Sequence, residues 1–221
     1  MKRRSFLILL GGAVASKPFA EQADRIRRID VLMGFAENDE VWQTYLAAFR
    51  LRLQDFGWID GLNLRIDYRF AGENTDGTRL AAEELVALEP DVIFVSTNPA
   101  VWALMKATHT IPIVFTWVSD SDGSGFVATS AHPGGNITGF QNFEPPLGGK
   151  WLELLKEITP EVRRVAVVHV PEITANVAFL HVVEASSASF GVTVTPAGVR
   201  NGADIERVLW RSRANRVAAL S

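Results

Sequence analysis

Along most of the chain, short apolar runs are separated by segments in which apolar residues recur with helical spacing. Between residues 27 and 119 the apolar runs predict four strands, in RRIDVLMGF, NLRIDYRF, DVIFVS and IPIVFTWV. The segments between them have the length and periodicity of amphipathic helices. Apolar strands joined by helices predict a parallel sheet that is covered by helices on both faces.

The helix after the first strand has clear predicted ends. Asn38 or Asp39 is a suitable N-cap, and Gly57 is a suitable stop. A helix of this kind buries one apolar stripe against a sheet. The residues that we expect to form the stripe recur about every four positions: Val41, Tyr45, Phe49, Leu53 and Phe56.

The alternation of strands and helices stops near residue 140 and then starts again. NITGF predicts a strand, and RRVAVVHV, VTVTPAGV and VAAL predict further strands separated by helices. Prolines and glycines at 145, 146, 148 and 149 predict a connection between two α/β lobes. We therefore expect an N-terminal lobe over 24–140, a hinge or crossover over 141–149 and a C-terminal lobe over 150–221. The second lobe is expected to be incomplete, because it supplies only about two full strands and the start of a third.

The first residues have the layout of an export signal. MKRRSFLILLGGAVASKPFA begins with basic residues, continues with an apolar run over 6–15 and ends in small residues. Arg3 and Arg4 also match the start of a twin-arginine signal. The apolar run is too short to span a bilayer. We expect a signal over residues 1–23 and a protein that is exported to the periplasm.

Composition and charge exclude several classes of function. The formal charge of -3 and the pI near 5.8 argue against nucleic acid as a partner, because phosphate binding needs a concentrated positive field. The chain has no cysteine, which excludes disulfides, thiol nucleophiles and thiolate metal sites. We therefore expect an acidic exported protein.

The motifs of common enzyme classes are absent. The sequence has neither G-x-G-x-x-G after the first strand nor G-x-x-x-x-G-K-[ST], and it has no G-x-S-x-G elbow. The four histidines lack the spacing of a metal pair. Asp120 and Asp122 can form a carboxylate pair, but no second acid/base group accompanies them. Binding is favoured over catalysis, with no cofactor and no metal.

Polar residues follow several predicted strands at their carboxyl ends, where ligands bind in open parallel sheets. Ser96, Thr97 and Asn98 precede a helix whose first turn contains Pro99. Hydroxyl groups and N–H groups at such a helix start can bind an anion or can simply cap the helix. Both interpretations stay open from position alone.

Four segments together resemble a known family of periplasmic substrate-binding proteins of ABC transporters, the group that includes tryptophan- and tyrosine-type binding proteins. They are RRIDVLMGFAENDE, ELVALEPDVIFVSTNPAVWAL, TIPIVFTWVSDSDGSGFVATSAHPGGNITGF and GGKWLELLKEITPEVRRVAVV. The resemblance implies the type I periplasmic binding protein fold, in which two Rossmann-like lobes close on a solute. It also implies a monomer that delivers a small molecule to a membrane permease.

The resemblance implies which residues face the solute. They are Phe35, Asn38, Ser96, Thr97, Asn98, Ser119, Asp120, Asn142, Pro171, Glu172 and Asn176. Amino-acid binders of this group often have aspartate near the place of Asn142, and asparagine supplies no charge for a ligand ammonium group. Phe35, Trp117 and Phe143 can stack on an aromatic ring or can belong to the core.

The same resemblance suggests how residues 118–140 are used. Ser119 and Asp120 are expected at the mouth of the cleft, and residues 123–129 are expected to form a short helix. HPGGN is expected to turn the chain into the next strand. Most of the glycines in residues 118–140 are expected in turns that need positive φ. Two alternatives stay open: a truncated, non-functional relative of such a binding protein, and a small α/β enzyme.

Overall fold

The computed structural model describes residues 25–72, 75–214 and 218–220, which form two parallel sheets flanked by helices. The predicted export signal at residues 1–23 lies outside the described residues. None of the described helices is both long and apolar enough to cross a membrane.

The first sheet has five parallel strands in the order β2-β1-β3-β4-β5. Their bounds are Arg27–Met33 for β1, Leu64–Phe70 for β2, Val92–Ser96 for β3, Ile113–Ser119 for β4 and Ile137–Phe143 for β5. The chain adds β2 on one side of β1 and β3 on the other. The direction of winding therefore reverses between β1 and β3, where open α/β sheets form a crevice at their carboxyl edge.

Helices cover both faces of this sheet. Helix α1 (Glu40–Asp55) packs against Val31 and Met33 of β1. Helices α2 (Thr75–Ala87) and α3 (Asn98–Ala107) pack on the opposite face, which Leu32 occupies. Successive side chains of a strand point to opposite faces, so one apolar strand serves two cores.

Helix α1 has the predicted cap but not the predicted buried stripe. Asp39 is the N-cap, and its carboxylate accepts hydrogen bonds from the first turn of the helix. Trp42 and Leu46 are buried, whereas Val41 and Tyr45 are 60% and 50% exposed. Of the predicted stripe, Phe56 is also exposed, and Phe49 and Leu53 are only partly buried. The stacking of Phe49 on Phe94 of β3, with ring centroids 4.7 Å apart, helps to fix which face of the helix meets the sheet.

The second sheet has three parallel strands in the order β7-β6-β8. Its elements are α4 (Leu147–Ile158), β6 (Arg164–His169), α5 (Thr174–Ser186), a 3-10 turn (Ser187–Phe190), β7 (Thr193–Gly198), α6 (Gly202–Ala214) and β8 (Ala218–Leu220). All the predicted strands and helices of this half are present. Residues 144–146 connect β5 to α4, and the predicted domain boundaries stay a prediction.

The loop after β4 differs from its prediction. Residues 123–129 form turns and bends instead of a short helix, so that prediction is wrong. Gly125 has a φ of +74°, which ends any helical course there, and Asp120 accepts a hydrogen bond from the Gly123 N–H at 3.2 Å. Of the five glycines in residues 118–140, Gly125 and Gly134 have positive φ, +74° and +80°, and the other three do not. The prediction that most of these glycines serve turns with positive φ is therefore wrong.

Candidate functional site

The carboxyl ends of β1, β3, β4 and β5 form a row of polar groups, which we call the polar edge. It comprises the loop after β1 at residues 34–38, the end of β3 at 96–98, the end of β4 at 119–120 and Asn142 near the end of β5. Hydrogen bonds join neighbouring members of this row. The structure therefore brings together the predicted site residues of the first lobe. Asn38 lies in an exposed position of the first loop.

Gly34 and Thr97 meet where the winding of the sheet reverses. The Gly34 N–H donates to Ser96 Oγ at 3.3 Å. A Cβ atom on Gly34 would lie 2.1 Å from Thr97 Oγ1 and 2.8 Å from its Cγ2, so only glycine fits beside this side chain. Thr97 has a φ of 76° and a ψ of 145°, which is a strained conformation for a β-branched residue. Such strain is found most often at functional sites.

Ser96 and Asn98 point into the protein. Ser96 is fully buried, and its hydroxyl donates towards the sulfur of Met33 at 3.7 Å. Asn98 Oδ1 accepts from the Ser119 N–H at 3.0 Å, and its Nδ2 donates to the Ser119 carbonyl at 2.8 Å and to Ser124 Oγ at 3.2 Å. Both side chains therefore hold the polar edge together, and their contact with a solute stays a prediction.

The start of α3 tests the capping interpretation of its hydroxyl groups. Thr97 is the N-cap residue, but its side chain makes no capping hydrogen bond. Its carbonyl accepts from the Val101 N–H at 3.1 Å, as in an ordinary first turn. The simple capping role is thus not observed for Thr97. Thr97 is partly buried, and its hydroxyl lies against Gly34 at the crevice.

Ser119 and Asn142 join β4 to β5 at the polar edge. Ser119 Oγ donates to Asn142 Oδ1 at 3.2 Å, and the Asp120 N–H donates to the Phe143 carbonyl at 3.1 Å. Asp120 has a φ of 51°, and its carboxylate turns back over Gly123. Asn142 contributes a neutral amide at this point, so it brings no charge to a ligand.

A pocket of about 350 Å³ adjoins Asn142 and lies beside the connection between the two sheets. Its lining residues are Gln141, Asn142, Glu144, Pro146 and Leu147. Sequence reasoning missed all of these except Asn142 as candidates for the site. The cluster of prolines and glycines marked the connection, but it carried no information about a pocket.

The predicted residues of the second lobe lie after β6. Asn176 Oδ1 accepts from the Val170 N–H at 3.1 Å. Glu172 is exposed and accepts from Arg200 Nε at 2.6 Å, and this hydrogen bond lowers the pKa of the carboxyl group. Pro171 packs beside Gly198. These described partners all belong to the second lobe, so a cleft shared with the polar edge stays a prediction.

Aromatic side chains lie beside the polar edge. Phe35 stacks on Trp42 with centroids 3.8 Å apart, and Trp42 makes edge-to-face contacts with Tyr45 and Trp117 at centroid distances of 5.3 and 5.1 Å. We call these four residues the aromatic cluster. Trp117 is 44% exposed, whereas Phe35 is partly buried by its packing. Phe143, 42% exposed, instead contacts the edge of the Trp151 ring at 6.0 Å.

Comparison of the sequence with known proteins gives a matching family model and a similar protein. A family model described as ABC transporter substrate binding protein matches residues 35–219. A tyrosine-binding protein of Clostridioides difficile is 33% identical over 117 residues, which are 53% of this chain and 33% of that protein.

Solved structures give the same fold. A conserved domain protein from Vibrio cholerae aligns with a TM-score of 0.78 and 28% identity over 86% of this chain and 63% of its own. An ABC domain of Streptococcus pneumoniae in complex with L-Trp aligns with a TM-score of 0.76 and 21% identity, over 85% of this chain and 62% of its own. The chain thus spans less than two thirds of these proteins. The predicted α/β fold, with parallel sheets flanked by helices as in type I periplasmic binding proteins, is confirmed.

Proposed function

Because the chain belongs to the family of ABC transporter substrate-binding proteins, we propose that it captures a small metabolite at the polar edge and delivers it to a membrane permease. The relevant metabolites are amino acids and aromatic or polar small molecules. The relatives named above are a tyrosine-binding protein and a domain in complex with L-Trp. The protein acts by binding, without catalysis.

The observation that carries this proposal is the row of polar groups at the carboxyl ends of β3, β4 and β5, beside the point where the winding of the first sheet reverses. Thr97, Ser119 and Asn142 lie at the ends of three adjacent strands. The hydrogen bonds of Asn98 to both backbone groups of Ser119 hold the end of β4 in place. A site whose shape exists before the ligand arrives loses less conformational entropy on binding.

Binding at this edge is proposed to involve Thr97 and the pair formed by Ser119 and Asn142. The second lobe would contribute the loop after β6, with Pro171 and Asn176, when it closes on the solute. Export to the periplasm by the segment at residues 1–23 and action as a monomer belong to the same proposal.

Thermal unfolding of the purified full chain tests this function. The panel contains L-tryptophan, L-tyrosine, L-leucine, benzoate and a neutral sugar. A solute that binds only the folded state stabilises it by about 2.7 kcal/mol when its concentration is a hundred times its Kd. We expect a concentration-dependent rise of Tm with one chemical class. A Tm that no member of a broad metabolite panel raises would contradict the proposal.

A further inference from the structure

Trp117 lies in an irregular part of β4. The register pairs Phe115 with Gly139 and Val118 with Gln141, so β4 carries one residue more than β5 between these pairs. Trp117 has a φ of 54°, which bulky residues rarely adopt. Such a bulge redirects a side chain and is common beside functional sites.

The bulge turns Trp117 away from the core that its neighbours fill. Phe115 and Val118 belong to the buried cluster under α2 and α3. The Trp117 ring instead meets α1 on the other face, 5.1 Å from Trp42 and 6.2 Å from Tyr45. Both Trp117 and Tyr45 keep about half of their surface exposed. A large ring is therefore held by packing on one side and open to solvent on the other.

The position of this ring relates it to the proposed site. Trp117 precedes Ser119 of the polar edge by two residues. Its partner Trp42 stacks on Phe35, which lies in the loop after β1. The aromatic cluster thus extends from the loop after β1 to within two residues of the polar segment at the end of β4.

We propose that Trp117 is a specificity-determining residue that selects solutes with an aromatic ring by packing its exposed indole against that ring. This assignment rests on the proposed function and narrows the solute to a ring-containing class. Aromatic pairs favour offset-stacked or edge-to-face contacts. An indole that is fixed by a bulge and by Trp42 loses little conformational freedom when the solute arrives.

Isothermal titration of the full chain tests the assignment in matched variants. The probes are L-tryptophan, L-tyrosine, benzoate and the ring-free L-leucine. Trp117→Leu removes the ring. Trp102→Leu is the control, because Trp102 is a similarly exposed tryptophan (42%) on the face of the first sheet that α3 covers. For a ring-containing probe we expect about tenfold weaker binding in Trp117→Leu, which is about 1.4 kcal/mol. Trp102→Leu should bind as the wild type does, and Trp117→Phe should restore most of the affinity.

Several outcomes would overturn the assignment. Unchanged affinity in Trp117→Leu, or a wild type that binds only L-leucine, would refute it and leave the proposed function intact. Binding of no solute from a broad panel would count against both. If Trp117→Leu does not fold, the emission of Trp117→Phe decides: the change in tryptophan fluorescence on binding should largely disappear. A change as large as in the wild type would refute the assignment.

Discussion

Replacing Asn98 by alanine tests how the end of β4 is held at the polar edge. The side chain is 9% exposed and makes three hydrogen bonds, of 2.8, 3.0 and 3.2 Å. Two of them go to the backbone carbonyl and N–H of Ser119, and one goes to the hydroxyl of Ser124. Alanine removes all three and leaves the partly buried backbone groups of Ser119 and the buried hydroxyl of Ser124 without this partner.

The expected loss follows from these contacts. Each hydrogen bond contributes about 1 kcal/mol net, so the substitution should lower the free energy of unfolding by about 3 kcal/mol. For a chain of this size, 1 kcal/mol corresponds to about 2–4 °C in Tm. We therefore expect a decrease of about 6–12 °C, measured by circular dichroism at neutral pH.

Asn63 provides a matched control. Its Oδ1 accepts from the Ile59 N–H at 2.7 Å, and its Nδ2 donates to the Gly57 carbonyl at 2.8 Å. This contact is exposed, so water can replace the lost side chain, and Asn63→Ala should cost less than about 1 kcal/mol. Equal losses in the two variants would refute the reasoning, because they would show that burial of the Asn98 network contributes nothing.

Two further predictions concern the strands that carry the polar edge. A Cβ atom on Gly139 of β5 would lie 2.1 Å from a backbone oxygen of β4. Gly139→Ala should therefore lower the free energy of unfolding, measured in urea, by about 3 kcal/mol. Gly135→Ala is the control, because no atom lies within 4 Å of the new Cβ, and it should change the free energy of unfolding by less than about 0.5 kcal/mol. Similar urea midpoints for the two variants would contradict the prediction for Gly139. Burial raises the pKa of Asp91, but the backbone N–H of Arg28 and the guanidinium of Arg27 outweigh burial and hold that pKa below its ordinary value. Since the folded-state pKa is lowered, the stabilisation is present above the unfolded pKa of about 3.9 and is lost as the pH falls through the folded value. Asp91→Asn should thus cost about 2 kcal/mol at pH 7 and progressively less below about pH 4, and a cost independent of pH in urea titrations would argue against the ionic contribution.

Much of the fold could be predicted from local patterns. The apolar runs marked the strands, and Asp39 and Gly57 marked the ends of α1, because capping and positive φ depend on residues that are adjacent in sequence. The restart of apolar runs and helical segments after residue 140 predicted the second sheet, because this periodicity is also a property of residues that are close in sequence.

The buried face of α1 could not be predicted in this way. Val41 and Tyr45 are as apolar as Trp42 and Leu46, so the sequence contains two overlapping stripes. In the structure Trp42 and Leu46 are the buried pair, because they pack against Val31 and Met33 of β1. These contacts join elements that are distant in sequence. Periodicity alone cannot rank two stripes of similar hydrophobicity.

The sequence by itself determined which segments supply polar residues to the polar edge, because residues at the carboxyl ends of parallel strands share one edge. Only the tertiary structure decided their roles. The strand order places Gly34 against Thr97 and turns Asn98 inward to Ser119, and the bulge in β4 turns Trp117 outward. These roles depend on strand neighbours and register, which bring together residues that are distant in sequence, so no local pattern encodes them.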